Sequence, residues 1–436
     1  MTAPAPDAAG FRTFLKLWAS QGVSLIGSVV SWFALSVYLA QTLYPLASQR
    51  AELALGLSLL GVSQLLPAFL IAPLAGVWAD RHDRRLTMLV CDLLSGAVTL
   101  LSATLMWLHV YPLWGILCVS VAISVLDSFQ SASLDTSYSL LVPREQLPRA
   151  SGMMQSSFNL SQLLAPSLAA LFIALQGGVA LTLLLDALSF WVAAAVLWRL
   201  KIPRPEAVKA AAGRPLRADL AFGWVYILRR PPLLILLLTL AAVNFCWAPF
   251  QVFQPLLLKG QLAADLRGHG LSFEAGLALL TTLTAAAGLG GGLLVSAWGG
   301  LKRQRIYGVL LLLPVGALCL IAIGLSKLLF VTALAAALMF LTGPVMNAHS
   351  AAIWQGQVSP ELQGRVFSVR RLIAQTSRPL SIALVGPLAA RFPVGGILIC
   401  FGAALLLIVL AQLLNPALRR IEDREYLESL AASRGG

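Results

Sequence analysis

The chain has 436 residues, of which 58% are apolar and 11% charged, with a formal net charge of +13. A soluble domain carries about 45–50% apolar and about 25% charged residues, so this chain lacks the polar surface to face water on all sides. That excludes a soluble enzyme, a secreted disulfide scaffold and a disordered protein, and leaves a polytopic membrane protein, because about 20 apolar residues cross a bilayer as one helix.

Apolar runs separated by polar punctuation predict twelve spans: 14–43, 53–78, 86–108, 113–141, 149–175, 179–199, 233–258, 273–298, 306–325, 328–352, 366–391 and 395–415. The first run is long enough to span and reads as a retained helix, not a cleaved leader. Prolines 67, 73, 166, 249, 314, 344 and 387 fall inside runs and predict local kinks, which helix bundles in lipid tolerate. The longest connection, 200–232, carries Leu216, Leu220, Trp224 and Ile227 at helical spacing, which predicts a helix on the membrane surface. The expected organisation is all-α: a six-helix bundle over 1–200, a central cytoplasmic loop over 201–232, a second six-helix bundle over 233–415 and a cytoplasmic tail over 416–436.

With the N-terminus inside, 25 Lys and Arg fall in cytoplasmic segments and five in outer loops, with Arg378 alone inside a span. This bias places both termini in the cytoplasm and the chain in the cytoplasmic membrane. The basic balance is therefore topogenic. No basic run is interleaved with stacking aromatics, so nucleic acid is not an expected partner. Cys91, Cys118, Cys246, Cys319 and Cys400 all lie in apolar runs and read as small buried hydrophobes.

The two halves echo each other. At an offset of 216, "VPREQLPRA" from Val142 meets "VSPELQGRV" from Val358, with Glu145 on Glu361 and Arg149 on Arg365. The same offset sets Gln155, Asn159 and Gln162 on Arg371, Gln375 and Arg378, one helix face in each half. Paired six-helix repeats imply a transporter that works by alternating access, with a monomer as the complete unit.

The fourth span carries the clearest polar stripe. Ser120, Ser124, Asp127, Ser131, Asp135 and Tyr138 fall within a sector of roughly 90° at 100° per residue. Such a stripe cannot face lipid. Asp127 and Asp135 are the expected proton-coupling residues, with an ion pair or hydrogen bond as the structural alternative. Arg378 needs an acid or water, and Asp127 is the first partner to expect. Further cavity candidates are Gln21, Ser28 and Trp32 in the first span, Asn244, Trp247 and Gln251 in the seventh, and Asn347 and His349 in the tenth. Such polar and aromatic groups suit an amphiphilic organic substrate, although any one of them is more often a packing contact. Asp92 is expected to pair with Arg81 or Arg84, Asp186 to be structural, and Glu274 to favour a helix N-terminus. His349 has no second ligand at metal spacing. No phosphate loop, zinc motif or nucleophile elbow occurs, so no enzyme activity and no cofactor are expected, and a proton gradient is the implied energy source. "GLGGG" at 288–292 reads as close helix packing.

The segment "GVWADRHDRR", 76–85, resembles the signature loop of the major facilitator superfamily through Gly76, Asp80, Arg81, Arg84 and Arg85. With Asp83 where that loop usually has Gly, it resembles the third drug–proton antiporter family, which includes macrolide-efflux proteins and some siderophore exporters. "LWASQGVSLIGS", "LLVPREQLPRASG" and "GRVFS" carry the same resemblance into both halves. It implies a twelve-helix antiporter whose signature loop is a cytoplasmic gate. In that gate Asp80 favours a helix N-terminus, and Arg81 and Arg84 reach Asp92 or Asp135. Many drug antiporters carry an arginine midway along the fourth helix; here Ile123 and Asp127 occupy that region. Proton coupling thus rests on the resemblance. A proton-independent exporter of a metabolite or lipid is the alternative, and a non-transporting interaction protein a remote one.

Overall fold

The computed structural model describes residues 8–143, 146–174, 178–200, 202 and 216–433. Glu145 lies outside the described residues, as do the side chains of Asp80, Leu216, Leu220, Glu361 and Gln375. The helices are α1 (Ala8–Tyr38), α2 (Arg50–Arg81), α3 (Arg84–Trp107), α4 (Leu113–Leu141), α5 (Leu147–Ala174) and α6 (Gly178–Arg199). There follow α7 (Leu216–Leu228), α8 (Pro231–Lys259), α9 (Ala263–Gly268), α10 (Phe273–Trp298), α11 (Tyr307–Leu310) and α12 (Leu313–Leu325). The last are α13 (Leu329–Gln357), α14 (Pro360–Arg391), α15 (Val394–Leu413), α16 (Pro416–Arg419) and α17 (Arg424–Ser433). Among the described residues there is no strand.

Among the described residues, eleven segments are long and apolar enough to cross a bilayer, with α11 and α12 counting as one. The expected span 366–391 lies in α14, which falls short in composition and not in length. Its 32 residues reach about 48 Å at 1.5 Å per residue, but they include Arg365, Arg370, Arg371, Arg378 and Arg391. Six of the seven flagged prolines sit inside unbroken helix. The exception is Pro314. Lacking an N–H and crowding the residue before it, it follows a break at Leu311 and Leu312 that splits the ninth span into α11 and α12.

The chain forms two compact units, residues 1–210 and 211–436. In the first, α1 packs on α5 and α6, α3 on α4 and α6, and α2 on α4. Phe14, Leu17, Met88, Leu141, Val142, Ala150 and Leu197 close the end of this bundle where α4 gives way to α5. In the second, α8 packs on α14 and α15, α12 on α13 and α15, and α10 on α13. Each pairing in one unit has its counterpart at the repeated position in the other, so the sequence echo is also an echo of packing.

The connection after α6 yields α7, which packs along α14 with Ile227 fully buried. Trp224, expected on the same face, is exposed together with Val225 and Leu228. The described part of the tail, 416–433, is docked: Leu418, Ile421 and Leu427 are each at most 1% exposed. Glu422 accepts from the Ile306 amide at 3.4 Å, and its carbonyl accepts from Gln357 Nε2 at 2.9 Å. All five cysteines are free; Cys91, Cys246 and Cys319 are buried, but Cys118 and Cys400 lie exposed on α4 and α15.

Candidate functional site

The polar stripe of α4 changes character along its length. Ser120 and Ser124 are buried, and Ser124 donates to the Gln64 carbonyl of α2. Asp127, Ser131 and Asp135 are exposed, with Ser131 Oγ donating to Asp127 Oδ1 at 3.5 Å. Carboxylates on a membrane-crossing helix are far costlier against hydrocarbon than against water. This row is therefore the part of α4 that calls for water in place of lipid.

Behind it lies a fully buried acid. Asp92 on α3 is 0% exposed. Gln21 Nε2 on α1 donates to Asp92 Oδ2 at 3.0 Å, and Gln130 Nε2 on α4 donates to Asp92 Oδ1. Gln130 Nε2 also donates to Gln21 Oε1 at 2.6 Å. Three side chains from three helices close a ring. The expected pairing of Asp92 with Arg81 or Arg84 is thus replaced by two amides: Arg81 is exposed, and Arg84 is turned to backbone oxygens. Gln21, expected in the cavity wall, belongs to this buried ring, and Gln130 was not singled out at all.

Asp186 on α6 is a second buried acid, within reach of the Ser28, Ser31 and Ser189 hydroxyls. Ser189 Oγ donates to Asp186 Oδ1 at 3.4 Å. Gly27 lets α1 approach, since a Cβ there would lie 2.6 Å from Asp186 Oδ1. Ser28 is half-buried and donates to the Ser24 carbonyl at 3.1 Å. Trp32 is half-buried.

Within the first unit, the 76–85 loop supplies helix caps. Asp83 is the N-cap of α3, its Oδ1 accepting from the Leu86 amide at 3.1 Å; a carboxylate where the related loop has Gly satisfies an orphan donor. Arg84 Nε donates to the Ala79 carbonyl at 3.0 Å and Arg84 Nη1 to the Thr136 carbonyl at 3.4 Å. Arg85 Nε donates to the Leu197 carbonyl at 2.9 Å, and Nη2 to that of Trp198. Leu197 and Trp198 end α6 and Ala79 ends α2, and the last carbonyls of a helix lack backbone partners and carry partial negative charge. A Cβ on Gly76 would meet nothing within 4 Å.

In the second unit α8 and α14 share a polar seam. Asn244 Nδ2 donates to the Ala374 carbonyl at 3.4 Å, Ser381 Oγ to that of Phe245 at 2.6 Å, and Arg378 Nη2 to Gln251 Oε1. Arg378 and Gln251 are exposed, as are Arg371 and Asn347. Arg378's described partner is thus a neutral amide. Trp247 lies against Gly316 and Phe340, with its indole N–H buried and unbonded. His349 departs from its expected place in the cavity wall: it is 3% exposed. Its Nδ1 pairs with the Val345 carbonyl at 2.7 Å, and its Nε2 accepts from the Leu301 amide at 2.9 Å. A ring with one nitrogen donating and the other accepting is neutral; it pins the turn after α10. Among the described residues no group of His, Cys, Asp and Glu could hold a metal ion.

Among the described residues, eleven apolar segments able to cross a bilayer together with the long α14, in two matching units and with carboxylates and guanidinium groups accessible on α4 and α14, define a polytopic membrane transporter. A sequence profile of the Major Facilitator Superfamily matches residues 17–382, and the chain belongs to that superfamily. Macrolide efflux protein A of Streptococcus pyogenes is 25% identical over 416 residues, covering 94% of this chain and 97% of the relative. Multidrug efflux pump Tap of Mycobacterium tuberculosis is 23% identical over 392 residues, covering 86% and 89%. These relatives agree with the drug-efflux resemblance carried by residues 76–85. Among solved structures, a bacterial homologue of the human lysosomal transporter Spinster aligns with a TM-score of 0.66 at 16% identity, over 98% of this chain and 96% of that one. A variant of the nucleoside transporter NupG aligns with a TM-score of 0.73 at 11% identity, over 92% and 99%. Both likenesses are of fold.

Proposed function

We propose that the protein is a proton-coupled exporter of amphiphilic organic compounds, macrolide-like or siderophore-like, working by alternating access in the cytoplasmic membrane with both termini inside. The observation that carries this reading is the exposed row Asp127–Ser131–Asp135 on a membrane-crossing helix. A carboxyl there gains and loses a proton at far lower cost than a permanent charge can be moved. The efflux names of the relatives support export and the substrate class. Arg378 supplies the positive charge that α4 lacks, and its link to Gln251 holds the guanidinium on the exposed face of α14.

The test is uptake of erythromycin and ethidium into inside-out vesicles with an acid lumen. The wild type accumulates at least one probe in response to the gradient. Asp127→Asn and Asp135→Asn lower that response, and Arg378→Ala weakens it. Wild-type uptake indifferent to the gradient removes the antiport reading and leaves proton-independent export.

A further inference from the structure

Among the described residues, the ring formed by Asp92, Gln21 and Gln130 has no counter-charge. On the helices that form and flank it, the titratable or charged groups are Cys118, Asp127, Asp135 and Tyr138 on α4, Asp186 and Arg199 on α6, and Arg12, Lys16 and Tyr38 on α1. On α3 itself, Cys91 adjoins Asp92, and Arg84 and Arg85 are spent on backbone carbonyls. Both described hydrogen bonds to Asp92 come from neutral amides. An ionised carboxylate with only dipoles for company is costly to bury, and the simplest way to neutralise it is a proton.

The ring also responds to that proton. Each Asp92 oxygen now accepts from an amide N–H. A protonated Asp92 has an O–H to donate, and an amide nitrogen cannot accept it. One glutamine must turn its Oε1 towards Asp92. If Gln130 turns, its N–H leaves Gln21 Oε1. If Gln21 turns, its N–H₂ faces that of Gln130. Either way the 2.6 Å link between α1 and α4 is broken. Proton occupancy is thereby tied to the packing of two helices. Asp127, one turn before Gln130 on α4, is exposed and near enough for its charge to act on Asp92.

We propose that Asp92 stores the coupling proton, which Asp127 takes from water, and that Gln130 converts its arrival into a loosened α1–α4 contact. The proton passes from the Asp127 carboxyl to the Asp92 carboxylate and leaves Asp127 ionised and accessible; no other reactant is involved. This deepens the antiport reading and rests on it.

Two measurements test it. Dicyclohexylcarbodiimide, which modifies protonated carboxyls in apolar surroundings, is applied to wild-type inside-out vesicles over a range of pH, and adducts are mapped by mass spectrometry. An adduct on Asp92 that declines as pH rises is expected; none at any pH overturns the proposal. Erythromycin or ethidium uptake is then measured with and without an acid lumen, beside exchange at equal pH. In Asp92→Asn the ratio of driven to undriven uptake falls to about one, because a proton on Asp127 no longer reaches the ring that joins α1 to α4 and so biases neither state of the carrier, while exchange persists. A variant that keeps the wild-type ratio overturns the proposal and spares the antiport reading. A wild-type ratio of one removes the antiport reading itself. Should Asp92→Asn not fold, Gln130→Leu takes its place; it is expected to retain the Asp92 adduct yet lose the ratio, and an unchanged ratio refutes the relay.

Discussion

Two glycines next to each other in α10 allow a controlled test of helix packing in the second unit. A Cβ on Gly291 would lie 3.1 Å from the Leu341 carbonyl carbon of α13 and closer still to its oxygen, whereas a Cβ on Gly290 would meet nothing within 4 Å. The Leu341 contact is to backbone, so no side-chain rotation relieves it and the two helices must move apart. Overpacking of this kind costs about 1–3 kcal/mol. Replacing Gly by Ala inside a helix returns about 1 kcal/mol, and the same return applies at both positions. Gly291→Ala should therefore be about 1–3 kcal/mol less stable than Gly290→Ala. In purified protein in mild detergent, Gly290→Ala should unfold at or above the wild-type midpoint and Gly291→Ala below it. Equal midpoints would falsify the claim that α10 and α13 meet backbone to backbone at Gly291.

The other tests are local. His349→Leu leaves the Leu301 N–H without its acceptor, at a cost of about 1–3 kcal/mol, so trypsin should cut faster at Lys302, Arg303 and Arg305; wild-type cleavage rates would show that the turn is held by something else. Gly27→Ala places a methyl against Asp186 and Ser189 and should lower stability by about 1–3 kcal/mol. Adding Ser189→Ala should recover part of that loss, and strict additivity of the two changes would refute the contact. Asp423 caps α17 by accepting from the Tyr426 amide at 3.0 Å, and that bond, with Arg420 at 2.9 Å, holds its carboxyl below the usual carboxylate range. A lowered folded value means that the cap is fully present above the ordinary carboxylate pKa of about 3.9 and is lost as pH falls through the folded value. Hydrogen-exchange protection in α17, taken relative to the intrinsic amide rate at each pH, should fall at acid pH in the wild type and already at neutral pH in Asp423→Ala; matching protection at neutral pH would dismiss the cap.

Hydropathy made the spans legible because lipid permits few alternatives: an element that crosses must be long, helical and apolar. The reading of 288–292 as close packing proved right at Gly291, and the echo between residues 142 and 358 appears as equivalent helix pairings. The partners of polar side chains were far less legible. Asp92 meets Gln21 and Gln130, 71 and 38 residues away, through three helices whose rotation no single periodicity fixes. Arg84 and Arg85 donate to carbonyls, and every residue has a carbonyl, so sequence gives no hint of which one receives them. His349 likewise binds backbone on both sides. Gln130 left only a weak signal: it is a polar residue three positions after Asp127, but at 100° per residue it lies about 60° outside the polar sector.

The repeated positions show where the two units were free to diverge. Gln155 and Gln162 on α5 correspond to Arg371 and Arg378 on α14, and all four side chains are exposed. Packing sets no demand for charge at an exposed site, while a guanidinium on a membrane-crossing helix costs free energy. The described hydrogen bond of Arg378 ends on a neutral amide, which satisfies a donor and leaves the charge uncompensated. A charge kept at that cost is expected to serve transport and not folding. Arg378→Gln tests this directly: it should leave thermal stability equal or higher while lowering gradient-driven uptake, the opposition that separates a functional residue from a structural one. A variant that loses stability and transport together would return Arg378 to the scaffold.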